Sequence, residues 1–176
     1  TLPNQVLRTV HVGFLALIAC GLLANADETA PPARAFWWAV GIIGFSVGLY
    51  HWWNYMELVN RAGELTDADM VVGIAALAVL FLLVWRAMGI ALPLVAGTFL
   101  AYCLFGRYLP APFDHRGYSL EQVIEQMSFG TEGLYATPTA VSATYIFLFI
   151  LFGAFVERAG VIDFFNDISM AVFGGK

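Results

Sequence analysis

Three histidines are the side chains of this sequence that could most readily bind a metal ion or transfer protons. They are His11, His51 and His115. A zinc or two-metal site needs ligands that converge from one helix face or from several neighbouring helices. The three histidines lie in different segments and form neither an H-x-x-x-H nor an HExxH pattern. We therefore predict interfacial or loop histidines and no metal site.

Other side chains suited to catalysis are sparse. Cys20 and Cys103 lie inside apolar stretches without a C-x-x-C partner, which is typical of buried, unreactive thiols. No P-loop and no G-x-G-x-x-G occurs, so the usual signals for nucleotide hydrolysis and dinucleotide binding are missing. An intramembrane enzyme would also need a buried nucleophile and base or a set of metal ligands. We predict that the chain is not an enzyme, with no catalytic residue and no cofactor.

A pathway for ions or solutes would need polar groups inside the apolar segments. No acidic or basic residue lies at the centre of any of them, although such charges are the usual marks of ion pathways. Ser142, Thr144 and Tyr145 are the only polar side chains between Ala140 and Val156. They could line a pathway, but hydrogen bonds between helices are the favoured interpretation. The substrate-binding residues are unknown from the sequence.

The segments that must position these side chains are five apolar blocks, with nearly all of the charges lying between them. The blocks are Val10–Leu23, Ala35–Tyr50, Met70–Trp85, Met88–Phe105 and Ala140–Val156. Each reaches the roughly 17–25 residues that cross a bilayer once its flanking residues are counted. The chain is 60% hydrophobic and 12% charged, with a mean hydropathy of +0.77. We predict an all-α integral membrane protein with about five transmembrane helices and two amphipathic surface helices.

The first block has an alternative interpretation as a signal peptide. Arg8 precedes the apolar run, and Ala24-Asn25-Ala26 resembles an A-x-A cleavage site. Against this, the chain opens with Thr1 and has hardly any polar n-region. A first transmembrane helix is favoured, and the missing Met suggests that residues precede it.

Short motifs predict how the helices pair, begin and turn. Gly44 and Gly48 form a GxxxG pair, which lets helix backbones approach closely in lipid, although two glycines can also fall at this spacing by chance. A charged loop follows the second block, and Thr66 or Asp67 is a candidate N-cap for the third helix. Only the dipeptide Arg86-Ala87 separates the third and fourth blocks. So short a link predicts an antiparallel hairpin.

A polar, turn-rich stretch at Gly106–Gly117 marks the boundary between two modules. After it, Ser119 opens an S-x-x-Q capping box, and apolar residues follow at helical spacing. The helix Ser119–Phe129 is too short and too charged to span, so we expect it to lie along the membrane surface. Because it is acidic, we expect it to pack against protein and not against anionic lipid. A second amphipathic run, Val161–Phe173, follows the fifth block.

The charges exclude one class of partner and leave the orientation open. The net charge is −5 and the eight basic residues are scattered singly, so we expect no binding of nucleic acid. The positive-inside rule gives no orientation, because the basic residues divide equally between the two sides. One side would hold Arg8, Arg61, Arg107 and Arg116, and the other Arg34, Arg86, Arg158 and Lys176.

Several stretches of the sequence resemble one known family. The most specific are the runs His115–Leu120 and Ser142–Phe155. Three shorter stretches also carry the resemblance: Ala91-Leu92-Pro93, Tyr108-Leu109-Pro110 and Thr131-Glu132-Gly133. From about Val6 onwards, the chain resembles the fused membrane permease of tripartite ATP-independent periplasmic (TRAP) transporters of the TAXI type.

The resemblance implies an architecture of two modules. Residues 1–106 would form a four-helix small (Q-type) membrane module, residues 107–118 a linker, and residues 119–176 the start of a large (M-type) transport module. The large module of the family continues with many more helices, which include the hairpins that bind sodium and substrate. We therefore expect this chain to be an N-terminal fragment, with a truncated transport module.

The resemblance also implies a function. Such permeases import small organic anions, mainly carboxylates, by secondary transport that a sodium gradient drives. We expect a multi-pass protein of the bacterial inner membrane. Its partners would be a periplasmic solute-binding protein, the lipid bilayer and the remainder of the transport module, with sodium as the coupling ion. The alternative is a membrane scaffold or assembly protein without transport activity of its own.

Overall fold

The computed structural model describes residues 3–26 and 30–174 of the chain. Within these ranges the chain forms nine α-helices: α1 (Asn4–Ala24), α2 (Pro31–Trp53), α3 (Tyr55–Asn60), α4 (Asp67–Met88), α5 (Ala91–Phe105), α6 (Leu120–Ile124), α7 (Thr137–Val141), α8 (Phe147–Arg158) and α9 (Val161–Phe173). A 3-10 turn at Gly106–Tyr108 follows α5, and wider π-helical turns occur at Glu125–Phe129 and Ser142–Ile146.

Five stretches of the described residues are long and apolar enough to cross a membrane. They are Asn4–Ala24, Pro31–Trp53, Asp67–Met88, Ala91–Tyr108 and Thr137–Arg158. They coincide in order with the five apolar blocks of the sequence. The prediction of an all-α membrane protein with five transmembrane helices is therefore confirmed.

The predicted N-cap of α4 and the predicted capping box of α6 are both present, and α4 also has a capping box that was not predicted. Thr66 is the N-cap of α4: its hydroxyl accepts the Asp69 backbone N–H, and the Asp69 carboxylate accepts the Thr66 backbone N–H. Ser119 and Gln122 make the same reciprocal pair at the start of α6. Each box satisfies two backbone donors that a helix start leaves unpaired, so both boundaries are fixed locally.

The hairpin between the third and fourth spans turns later than the sequence analysis predicted. Helix α4 continues through Arg86-Ala87 to Met88, and α5 begins at Ala91. Gly89 ends α4 with a φ of 82°, a left-handed conformation that costs glycine little. The prediction that Arg86-Ala87 forms the link was wrong, because the stop is set by backbone conformation at a glycine and not by the charged residue.

Small residues bring α1, α2 and α4 into close contact. A Cβ atom added to Gly44 would lie 2.9 Å from Ala16 Cβ and 3.1 Å from Val79 Cγ1. At Gly48, it would lie 2.9 Å from the Thr9 carbonyl oxygen. No side chain fits at either glycine without a shift of its neighbours. The close approach predicted for this GxxxG pair is therefore confirmed, and we call it the glycine seam.

The predicted helix Ser119–Phe129 consists of two parts. Helix α6 covers Leu120–Ile124, and the π-helical turn Glu125–Phe129 continues it. Val123 and Ile124 are buried, and α6 contacts both α4 and α5. The expectation that this helix packs against protein is met.

The chain divides into two compact units, Thr1–Ala140 and Val141–Lys176. The first unit contains α1 to α6. In the second, α8 packs against α9, and α9 begins after Gly160, whose φ is 72°. Helix α9 covers the predicted amphipathic run Val161–Phe173. The large apolar side chains of α8 and α9 are exposed, as expected of a helix pair surrounded by lipid or by further protein.

Candidate functional site

Hydrogen-bonded polar side chains of the first unit gather at one end of its helix bundle, and three of them, His51, Asp69 and Ser128, are buried. This end combines the start of α1, the last turn of α2, the end of α3, the start of α4 and the segment that follows α6. We call it the polar end. It contains Gln5, Arg8, Tyr50, His51, Arg61, Thr66, Asp69 and Ser128.

Asp69 is the centre of one half of the polar end. Its side chain is 0% exposed. One carboxylate oxygen accepts the Tyr50 hydroxyl at 2.7 Å and the Arg61 guanidinium at 3.1 Å. The other accepts the Thr66 backbone N–H at 2.9 Å and the Thr66 hydroxyl at 2.7 Å. A buried carboxylate is tolerated only when it is paired and hydrogen-bonded. Asp69 meets both conditions and thereby links α2, the end of α3 and α4.

His51 is the centre of the other half. Its ring is 2% exposed. Nδ1 lies 2.9 Å from the Val47 carbonyl oxygen one turn earlier in α2, and Nε2 lies 3.0 Å from the Ser128 carbonyl oxygen. The ring also stacks on Phe129, with the ring centroids 4.9 Å apart, and meets Tyr135 edge-on at 5.4 Å. His51 thus joins α2 to a distant part of the sequence.

That distant part is the segment 125–136, which we call the docking segment. Three helices hold it. The Gln5 amide of α1 donates to the Phe129 carbonyl oxygen, and His51 of α2 contacts the Ser128 carbonyl oxygen. The Ser128 hydroxyl in turn donates to the Gly73 carbonyl oxygen of α4 at 2.9 Å. In addition, the Arg8 guanidinium donates to the Tyr135 carbonyl oxygen at 2.7 Å. Polar groups of the bundle therefore take the place of the missing helical hydrogen bonds along this segment.

Tyr135 is the largest fully buried side chain of the described residues. Burial raises the pKa of its phenol well above the ordinary value. Near neutral pH the phenol is therefore uncharged, and Tyr135 packs as an aromatic group against His51.

A cavity of about 370 Å³ opens beside the polar end. Its polar lining comes from six side chains: Gln5, His51, Tyr55, Arg61, Glu125 and Gln126. The buried Arg61 Nε has no hydrogen-bond partner among the residues that the structure describes. The lining includes neither serine nor cysteine. The cavity can accept a small polar molecule or water.

The structure separates the three predicted histidines. His51 lies in the last turn of α2, at the end of a span, where an interfacial residue is expected; it is not a loop residue, and its ring is buried against protein. The run Trp52-Trp53 after it is typical of the headgroup level, whereas the contact of His51 with Ser128, 77 residues away, is invisible in the sequence. His115 lies in the loop after α5, as expected, and His11 lies partly buried within α1. Within the described ranges, no three His, Cys, Asp or Glu side chains gather as a metal site.

The other candidate residues belong to other elements of the chain. Ser142, Thr144 and Tyr145 fall in the second π-helical turn, where the Tyr145 side chain is 67% exposed. Cys20 is buried as predicted, whereas Cys103 is only partly buried.

One motif of the sequence has the G-x-S-x-G spacing of a hydrolase nucleophile elbow, Gly44 to Gly48. That motif requires a sharp turn between a strand and a helix. Here it lies in the middle of α2, and the Ser46 hydroxyl donates to the Ile42 carbonyl oxygen at 2.8 Å. The spacing therefore reflects the glycine seam and not a nucleophile.

The sequence analysis missed the burial of Asp69, which it assigned to a charged loop. A signal was present, because Thr66 and Asp69 have the T-x-x-D spacing of a capping box. Asp69 is the third residue of α4, and a carboxylate that bonds back to the start of its own helix is already partly desolvated. The contacts of Tyr50 and Arg61 with it depend on how helices distant in sequence pack.

Five helical spans that are long and apolar enough to cross a membrane define a multi-pass α-helical membrane protein. The family model described as "Tripartite ATP-independent periplasmic transporter, DctM component" matches residues 74–176. The chain therefore belongs to this family, and it is a permease component of a TRAP transporter. No curated protein and no solved structure matches it.

Proposed function

We propose that this chain serves a sodium-driven permease that imports small organic anions, mainly carboxylates, across the bacterial inner membrane. A periplasmic solute-binding protein would deliver the substrate, and the remainder of the transport module would carry it across. The observation that carries this proposal is the family match over residues 74–176. We assign no sodium-binding or substrate-binding residue to this chain, since the polar end lies at an end of the bundle and not at the midplane.

We further propose the fused organisation of the TAXI type, in which this chain is an N-terminal fragment. Residues 1–106 would be the small module, residues 107–118 the linker and residues 119–176 the start of the transport module. The family match begins inside α4, ahead of this linker. The division at residues 107–118 therefore stays a prediction.

The contacts of the docking segment support a bracing role for the first helices. Gln5, Arg8 and His51 precede the matched region, and each contacts a backbone carbonyl group inside it. The glycine seam makes α1 and α2 a closely packed pair behind these contacts. A static brace requires a rigid helix pair that binds the start of the transport module, and α1 and α2 have this arrangement.

Uptake into proteoliposomes tests the proposal. The gene would be cloned with the reading frame that follows Lys176, and the purified protein would be reconstituted together with the solute-binding protein encoded nearest to it. Uptake of a labelled carboxylate should follow an inward sodium gradient and should require the binding protein. Uptake that does not depend on the sodium gradient would reject the sodium coupling. Uptake without the solute-binding protein would reject that protein as the partner.

A membrane scaffold without transport activity of its own is the second candidate. It is favoured by the concentration of buried residues in α1, α2 and α4 of the first unit. A scaffold would co-purify with the remainder of the transport module, expressed separately, and would give no uptake alone. If the chain neither co-purified with that remainder nor supported uptake, both candidates would be rejected.

A further inference from the structure

The imidazole ring of His51 lies between two hydrogen-bond acceptors. Its Nδ1 is 2.9 Å from the Val47 carbonyl oxygen, and its Nε2 is 3.0 Å from the Ser128 carbonyl oxygen. Carbonyl oxygens accept hydrogen bonds and cannot donate them. Both ring nitrogens must therefore carry a proton if both contacts are hydrogen bonds.

A neutral imidazole carries only one N–H group. If that proton is on Nδ1, Nε2 turns a lone pair towards the Ser128 oxygen. If it is on Nε2, Nδ1 turns a lone pair towards the Val47 oxygen, one turn back in the same helix. Rotating the ring away from Val47 relieves this repulsion but moves Nε2 off Ser128. Each neutral form therefore makes one of the two hydrogen bonds and leaves two acceptors facing each other at the other contact.

His115 shows the opposite arrangement in the same chain. Its Nδ1 accepts the Gly117 backbone N–H at 2.9 Å, and its Nε2 donates to the Tyr102 carbonyl oxygen at 2.9 Å. One donor and one acceptor satisfy a neutral ring completely. The ring nitrogens of the two histidines therefore have different partners, and His115 provides a natural reference for His51.

The His51 ring is 2% exposed and stacks on Phe129, with the ring centroids 4.9 Å apart. The titratable or charged side chains around it are Tyr50 of α2, Asp69 of α4, Tyr55 and Arg61 at the two ends of α3, Arg8 of α1, and Glu125 and Tyr135 of the docking segment.

We propose that His51 is a proton-dependent clamp between α2 and the docking segment. With two ring protons it bonds to Val47 and Ser128 at once. With one ring proton it loses one of these hydrogen bonds, and its contact with Ser128 weakens. Because His51 precedes the family-matched region and Ser128 lies within it, the protonation of one ring controls how firmly the first helices hold the transport module. This device is independent of the transported substrate and of the coupling ion.

Nitrogen NMR of the full chain tests the clamp directly. The sequence has only three histidines, so ¹⁵N-histidine labelling in lipid nanodiscs gives three resolvable rings. In the acid range both His51 nitrogens should show the shifts of protonated nitrogen. After correction for the intrinsic rate, amide exchange in residues 127–136 should be about fivefold slower in that range than after His51 has lost a proton, as one net hydrogen bond implies.

Two variants separate the clamp from general pH effects. His51→Gln should abolish the pH dependence of exchange in the docking segment, whereas His115→Gln should keep it. An identical pH profile in wild type and His51→Gln would overturn the proposal. If His51→Gln does not fold, the wild-type spectrum decides alone: a single protonated His51 nitrogen at every pH, with the docking segment equally protected throughout, would also overturn it.

Discussion

The Tyr50 hydroxyl donates a hydrogen bond of 2.7 Å to the Asp69 carboxylate and so joins the last turn of α2 to the first turn of α4. The same carboxylate oxygen contacts the Arg61 guanidinium at 3.1 Å. Asp69 is completely buried, whereas the Arg61 side chain is 28% exposed. The stability of this end of the bundle therefore depends more on the pairing of the carboxylate than on that of the guanidinium.

Asp69→Asn should destabilise the protein by about 2–3 kcal/mol. The substitution removes the counter-charge of Arg61 and places an amide NH₂ group among donors. Removing one partner of a fully buried pair costs about 3–5 kcal/mol, and the partial exposure of Arg61 reduces this. For a chain of this size, the apparent Tm in detergent should fall by about 5–10 °C.

Asp67→Asn is the matched control, because Asp67 lies in the same first turn of α4 but is exposed. Its effect should stay within about 0.5 kcal/mol. Equal melting temperatures of the two variants would show that the buried pair contributes little.

Substitution of glycine by alanine should have opposite effects on stability inside and outside the glycine seam. Gly44→Ala places a methyl group 2.9 Å from Ala16 Cβ, and overpacking of this kind costs about 1–3 kcal/mol. Gly97→Ala in α5 meets only Phe81, at 3.7 Å, so the gain in helix propensity of up to about 1 kcal/mol should prevail.

Thermal unfolding in one detergent compares the two variants, and Gly44→Leu should be more destabilised than Gly44→Ala. A Gly44→Ala protein as stable as wild type would mean that α1 and α2 do not pack through this seam.

The sequence alone was sufficient for the spans and for the starts of α4 and α6, but not for the turn between α4 and α5. Apolar length identifies a membrane helix because lipid demands internally paired backbone groups, whatever the helix packs against. The Thr66 and Ser119 capping boxes are equally local, since both partners lie within one turn. These features needed no knowledge of the tertiary structure.

The polar end could not be predicted in the same way. His51 and Ser128 are 77 residues apart, and no periodicity relates them. His51 follows apolar residues and precedes tryptophans, which is the pattern of an interfacial residue. Its burial depends on the docking segment, whose backbone carbonyl groups need hydrogen-bond partners from the bundle. This need arises because the helix ends at Phe129, which the tertiary structure shows and the sequence pattern does not.

Ser128→Ala should weaken the hold on the docking segment without touching the His51 contact. The Ser128 hydroxyl is buried and donates to the Gly73 carbonyl oxygen at 2.9 Å, whereas His51 uses the backbone oxygen of Ser128. Losing the hydroxyl leaves a buried carbonyl oxygen with one partner fewer and should cost about 1–2 kcal/mol.

Ser169→Ala in α9 is the control, because the Ser169 hydroxyl makes its 2.8 Å bond to the Phe165 carbonyl oxygen in an exposed setting. There water replaces the lost partner, and the melting temperature should hardly change. The expectation fails if Ser128→Ala melts at the same temperature as Ser169→Ala.

Tyr135 should make the protein sensitive to alkali. Burial raises the pKa of its phenol in the folded state, whereas in the unfolded chain the phenol titrates near its ordinary value of about 10. Above that pH the unfolded chain binds fewer protons than the folded one, so stability falls as the pH rises, by up to about 1.4 kcal/mol per pH unit. Below about pH 9 both states keep the proton, and this residue gives no pH dependence.

Tyr135→Phe should remove that alkaline slope, while Tyr108→Phe, at a side chain that is 72% exposed, should leave it unchanged. The comparison uses the change in melting temperature between about pH 9 and pH 11 and not its absolute value, because deleting the hydroxyl also alters packing at every pH. If Tyr135→Phe lost stability over this interval as steeply as wild type, the alkaline transition would have to arise elsewhere in the chain.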